Sequence, residues 1–178
     1  VSTHFVVHRS GGRLIAALRY TPLDGAGRRR LAVEGLGELA CDEELLARSS
    51  LSSRLVLDRS VRGALRELPA MVEAIYTHGS LAGSLLNFLH CQPRLVPLFA
   101  RIGFRRVAPD FAFSPTGRTH SRVCLQTDAI GPLEAVGSHL AHACRRLFDV
   151  SQPPRSDLLL ARANLLLNAG APPTERAA

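Results

Sequence analysis

The sequence contains no lysine, so every one of its 22 basic side chains is arginine. This excludes a Schiff-base lysine and a phosphate-loop lysine, and it leaves arginine to carry any oxyanion or phosphate recognition. There are only two tyrosines and no surface motif that alternates basic with aromatic residues. Stacking-based binding of nucleic acid is therefore not expected. The four cysteines, Cys41, Cys91, Cys124 and Cys144, are widely and irregularly spaced with no CxxC pair. That spacing predicts neither a zinc site nor a disulfide framework, no metal is expected, and reduced cysteines in a cytoplasmic protein are. No uncharged apolar run approaches the ~20 residues that a membrane-spanning helix needs. The longest runs, residues 81–89 and 158–167, are short or interrupted by charge.

What remains is a chain of 178 residues, 46% apolar, with a formal net charge of +7. Such a chain can close one real core. Its charge suits an anionic partner, such as a nucleotide, an acyl carrier or a membrane surface bound peripherally. Residues 4–8 and 14–20 read as strands joined by a turn over residues 9–13, where Gly11 and Gly12 tolerate positive φ. A Gly-, Pro- and Arg-rich connection follows over residues 21–37. Asp42 is placed to cap a helical turn ending at Ala47. Residues 51–57 form the next strand. A helix over residues 63–78 carries Leu65, Leu68, Met71, Val72, Ile75 and Tyr76 at helical spacing, with Gly79 as its stop. A strand is predicted over residues 80–90 and a helix from Pro93 to Gly103. A strand over 104–113 should hold a bulge or an edge at Pro109, and residues 119–126 form the last strand. A continuous helix over 133–148 and another over 158–167 complete a mixed α/β sheet flanked by helices. The expected organisation is a core over residues 1–130, a helical extension over 131–168 and a flexible tail over 169–178.

The chemistry concentrates on residues 50–63, a strand ending in a loop that opens a helix. Free N–H groups and the helix dipole make such a junction a place to hold an anion. Arg54 stands inside an apolar strand and needs a partner. It is a candidate anchor for an acceptor carboxylate, and Arg19, at the exit of an earlier strand, is a second. His78, His90 and His120 are candidate general bases. Cys91 follows His90 directly, but neighbours on a strand point to opposite faces, which argues against a Cys–His pair. Leu81, Leu85, Leu86 and Phe88 supply apolar surface for either an acyl tunnel or a core.

The segments LIAALR, SRLVLDRSVRG and LFARIGF occur in the order and approximate spacing of the GNAT acyltransferase superfamily, which the chain resembles over residues 3–128. Arg19, the Ser53–Val56 entry (SRLV) and the segment CQPRLVPLFARIGFRRV resemble the branch of N-acyl amino acid synthases and autoinducer synthases. The resemblance implies a GNAT-like fold and no bound cofactor. It also implies an acyl group delivered on acyl carrier protein or CoA, and transfer of a medium or long chain to an amino acid or related amine. Arg54 and Arg19 would then serve the acceptor. Backbone N–H groups at Val56 and Leu57 would hold the thioester carbonyl, and Arg62 with the N–H groups of Gly63 and Ala64 would hold the donor phosphate. The chain departs from the family at several points. Leu65 and Glu67 replace small residues of the phosphate loop, Leu51 replaces a glutamate, and Phe99 replaces the general-acid tyrosine. The family's elements before the first hairpin are expected to be missing. An inactive binding or regulatory module on the same scaffold is the alternative.

Overall fold

The computed structural model describes residues 2–8, 12, 14–58, 60 and 68–169. Six strands form one sheet: β1 (Thr3–His8), β2 (Leu14–Pro22), β3 (Ser49–Leu57), β4 (Leu86–Cys91), β5 (Arg105–Phe113) and β6 (Arg118–Gln126), in the spatial order β1-β2-β3-β4-β6-β5. Every neighbouring pair is antiparallel except β3 and β4, which run parallel because α2 (Leu68–Leu81) crosses between them.

Alternation along the strands divides the interior into two cores. On one face, Leu18, Tyr20, Leu89, Val123 and Leu125 pack against α2, α3 (Val96–Ala100), α4 (Ile130–Ala135) and α5 (Leu140–Leu147). On the other, Leu51, Leu86, Phe88 and Cys124 meet α1 (Glu43–Ala47), α6 (Ser156–Asn168), the 3-10 turn Gly37–Cys41 and Leu23, Leu31 and Leu36 of the connection after β2. Asp42 caps α1 as expected, accepting a hydrogen bond from the Leu45 N–H at 3.0 Å. β5 is an edge strand, and its register with β6 slips on either side of Ala108, so the irregularity expected at Pro109 is present. No helix among the described residues is long and apolar enough to cross a membrane.

Three elements differ from the sequence expectation. The helix does not stop at Gly79. It continues to Leu81, and Gly83, at φ 84°, makes the turn into a shorter β4. Gly79 serves packing instead, since a Cβ there would lie 3.0 Å from the Tyr20 ring. The single helix expected over residues 133–148 is two helices, broken where Gly137 takes φ 63°. Leu86 and Phe88 lie in the second core and Leu81 is exposed, so they line no tunnel. The start of the helix predicted at residue 63 lies outside the described residues.

Candidate active site

The site begins with a bulge. Ala17 faces Val56 and Arg19 faces Ser53, so Leu18 alone is opposed by two residues, Arg54 and Leu55. Arg54 absorbs the extra length in the left-handed region, at φ 61°, and is the one non-glycine residue with positive φ among the described residues. A bulge bends its strand and increases its twist. The effect appears on the other side of β3, which pairs with β4 only from Ser49↔Leu86 to Ser52↔Leu89. Beyond Ser52 the two strands part. β3 stays with β2, and β4 stays with β6 up to Cys91↔Ser121.

The gap is a cleft of about 510 Å³ whose walls include Ser53, Arg54, Leu55, Leu89, His90, Phe113 and His120. Beneath it lies a narrow cavity of about 20 Å³ lined by Leu55, Val72, Ile75, Leu89, Phe104 and Leu125. Leu18, Ser52, Leu55, Leu89 and Phe99 line both, so the cleft and the cavity share a wall. The separation of β3 from β4 therefore leaves the two spaces side by side, divided by this wall. One face offers a closely packed apolar recess, and the other offers charge.

The charged side is built on Glu34, which is only 4% exposed. Its Oε1 accepts from Arg30 Nη2 at 2.9 Å and lies 3.5 Å from Arg19 Nη2. Its Oε2 lies 2.6 Å from His90 Nε2. Burial alone would raise the Glu34 pKa, but the hydrogen bonds and charges of His90 and Arg30 outweigh it and hold the carboxyl at about 2. His90 Nδ1 in turn lies 2.7 Å from His120 Nδ1. The His120 pKa is lowered, first by burial and then by the neighbouring His90 and Arg118. Phe113 stacks on the His120 ring at 4.8 Å and tilts over His90 at 4.6 Å. Phe111 meets both imidazoles edge-on, with the Arg122 guanidinium 4.7 Å from its centre. Phe111 also presses on the backbone of Gly35, where an added Cβ would be 2.3 Å from the ring and φ is 71°. Only glycine fits beside Glu34.

The expected residues fall as follows. Arg54 is exposed on the cleft wall and makes no ion pair among the described residues. Arg19 is largely engaged, since its Nε and Nη2 both donate to Ser53 Oγ, at 3.2 and 2.8 Å. Burial lowers its pKa, reinforced by the charge of Arg30. Val56 points outward and is 61% exposed. The Asp58 N–H donates to Ile15 O at 2.9 Å, so antiparallel alternation turns the Leu57 N–H away from β2, to the side that β4 has left. Arg62, Gly63 and Ala64 lie outside the described residues. Of the candidate bases, His90 and His120 come together in the cleft, whereas His78 packs between Phe5 and Tyr20. Cys91 is buried, and burial pushes its thiol up to about 11. Leu51 is core and Phe99 is buried in the shared wall. Glu34 was missed by the sequence reading, because nothing in a Gly- and Arg-rich connection marks the residue that will face a strand 56 positions later.

No family model matches the chain, and no curated protein matches it. Solved structures do. FeeM, an N-acyl amino acid synthase from uncultured soil microbes, superposes with a TM-score of 0.60 at 13% identity, over 71% of this chain and 72% of that one. TofI in its apo form gives a TM-score of 0.57 at 17% identity, over 79% of this chain and 75% of that one. TofI in a ternary complex with an inhibitor and MTA gives 0.52 at 16% identity, over 79% and 71%.

Proposed function

We propose, from its GNAT-like acyl-CoA N-acyltransferase fold of a mixed central sheet flanked by helices and from its open site, that the chain transfers an acyl chain from a thioester, on acyl carrier protein or CoA, to the amine of an amino acid or a related acceptor in the cytoplasm. The observation that carries the reading is the parting of β3 from β4 after Ser52, which sets a cationic cleft against an apolar recess with a shared wall. A thioester lying along the gap has its carbonyl within reach of the outward Leu57 N–H. A backbone donor aimed where negative charge develops is the usual means of stabilising a tetrahedral oxyanion. The acyl chain then enters between Leu55, Leu89 and Leu125. The recess holds room for about one water, so a chain of any length must displace the α2 side chains Val72 and Ile75.

Arg54 suits an acceptor carboxylate, being a guanidinium on the cleft wall with no internal ion pair among the described residues. Arg19 is held by Ser53 and Glu34, so it shapes the wall and adds to the positive potential. The donor phosphate remains assigned to Arg62 and the N–H groups of Gly63 and Ala64. FeeM is itself an N-acyl amino acid synthase, and this lends weight to an amino acid acceptor.

The purified chain is to be incubated with decanoyl-CoA and with decanoyl-acyl carrier protein, each with a panel of amino acids. Mass spectrometry is expected to find an N-decanoyl amide together with the free thiol. Phe99, buried in the wall with nothing to titrate, favours a second reading, a binding module without turnover. Tight retention of the donor with no amide for any acceptor would select that reading.

A further inference from the structure

Three groups in the cleft form a chain whose proton positions are determined by their neighbours. Glu34 is a carboxylate and can only accept, so the proton between it and His90 belongs to His90 Nε2. A neutral His90 then presents Nδ1 as an acceptor. The 2.7 Å contact to His120 Nδ1 therefore requires the proton on His120 Nδ1. That leaves His120 Nε2 with a lone pair, and it has no hydrogen-bond partner among the described residues. His120 is half-buried on the cleft wall. The stacked Phe113 and the edge of Phe111 fix both rings in the plane this chain needs.

We infer that His120 is the general base of the cleft, with Nε2 as its basic atom and with Glu34 and His90 as the residues that position it. This rests on the acyl-transfer reading above. The acceptor reacts as its neutral amine, the ammonium proton having gone to solvent. Its nitrogen bonds to the thioester carbon and releases a proton to His120 Nε2. The C–S bond breaks, its electron pair goes to sulfur, and the thiolate takes the proton back from His120. The products are one amide and one thiol, and the relay ends as it began. While His120 holds the extra proton on Nε2, its Nδ1 proton can pass to His90 Nδ1. The imidazolium then stands against the Glu34 carboxylate at 2.6 Å. The arrangement supplies the proton-transferring group that neither Leu51 nor Phe99 can be.

The groups around His120 set the sign of the pH dependence. Burial, the neighbouring His90 and Arg118 from β6 oppose protonation of His120, and Arg30 from the connection, Arg54 from β3 and Arg94 after β4 line the same cleft. Glu34 is the one carboxylate among the described residues that line the cleft, and it reaches His120 through His90. Activity should therefore rise with pH through a value below the ordinary 6.5 of histidine.

The test combines kinetics with 15N NMR of histidine-labelled full-length chain. At pH 7.5 the wild type is expected to show His90 as the Nε2–H tautomer and His120 as the Nδ1–H tautomer. His120→Gln should reduce kcat for decanoyl transfer at least ~100-fold with little change in KM. Glu34→Gln should lower kcat and move the acidic limb of the kcat/KM profile to lower pH, and Glu34→Asp should restore part of both. A purely structural role for Glu34 would move stability without moving that limb. Amide formation that survives His120→Gln overturns the assignment while the transfer reading stands. A proton on Nε2 of neutral His120 does the same, and it is read from the wild type even where the variant does not fold. Absence of amide from the wild type overturns the assignment and the transfer reading together.

Discussion

β3 and β4 carry different chemistry at their two ends. Where they are paired, their polar side chains are short and uncharged. Ser50 and Ser84 share a hydrogen bond at 2.8 Å, Asn87 Nδ2 donates to Ser50 Oγ at 2.8 Å, and Ser52 Oγ donates to Asn87 Oδ1 at 3.0 Å. Thr127 closes the group by donating to the Ser84 carbonyl, and Tyr76 donates to the Thr127 carbonyl. Where the strands part, the residues are Arg54, without an ion pair among the described residues, and Arg19 and His90 with their partner Glu34. Neutral groups that satisfy one another can be sealed beneath a core at small net gain. Ionic groups lose much of their hydration on burial and keep it only beside water. The closed end thus fixes the register of the parallel pair, and the open end retains groups that can still bind or exchange protons.

Breaking the charged end should have the larger effect. Glu34→Gln removes the one anion among Arg19, Arg30 and His90, and should cost about 3 kcal/mol at neutral pH. The folded pKa of Glu34, about 2, lies below its unfolded value of 4.5. Its stabilisation is therefore complete above about 4.5 and is lost as pH falls towards 2. Thermal unfolding of the wild type should show this acid limb, and the variant should lack it. At the uncharged end, Asn87→Ala strands the Ser52 hydroxyl and removes one of the hydrogen bonds of Ser50, and should cost about 2 kcal/mol, with the acid limb unchanged. Equal pH dependence in the two variants would mean that the paired and parted ends of β3 and β4 do not differ in this way.

Arg54 separates binding from folding at a single position. Replacing a non-glycine residue in the left-handed region by glycine relieves about 1 kcal/mol of backbone strain. Arg54→Gly should therefore raise the melting temperature slightly while raising KM for carboxylate-bearing acceptors ~10-fold, the loss of one charge-assisted contact. An unchanged KM would remove Arg54 from the acceptor site. The smallest effect concerns the thiols. Burial raises the pKa of Cys91, Cys124 and Cys144, and Cys41 is the one exposed cysteine. Alkylation of native protein at pH 8, read by peptide mass, should label Cys41 alone. Rapid labelling of Cys91 would reopen a nucleophilic role beside His90.

Local patterns disclosed most of the fold. Alternation gave the hairpin of β1 and β2, and Pro109 marked an edge strand, because a proline cannot donate to a ladder. Helical spacing placed α2 and α6. The errors arose where a glycine has two possible uses. Gly79 packs against Tyr20 and Gly137 breaks a helix, and composition alone does not distinguish these roles. The site was half legible. Arg54 stood out as a charge among apolar residues, and His90 and His120 as titratable residues at strand ends. Their union with Glu34 depends on how the connection after β2 folds back over β4, and no local period encodes that.

Glu34, His90 and His120 come from three distant parts of the chain, separated by 56 and 30 positions. Contacts of such span form late, since the loops that close them must first lose their entropy. The Glu34–His90 contact, 56 positions apart, is therefore expected after the sheet ladders, whose paired residues lie at most 41 positions apart. A chain emerging from synthesis can reach most of its sheet before any ion has to leave water. Reactivity is acquired only by the finished molecule.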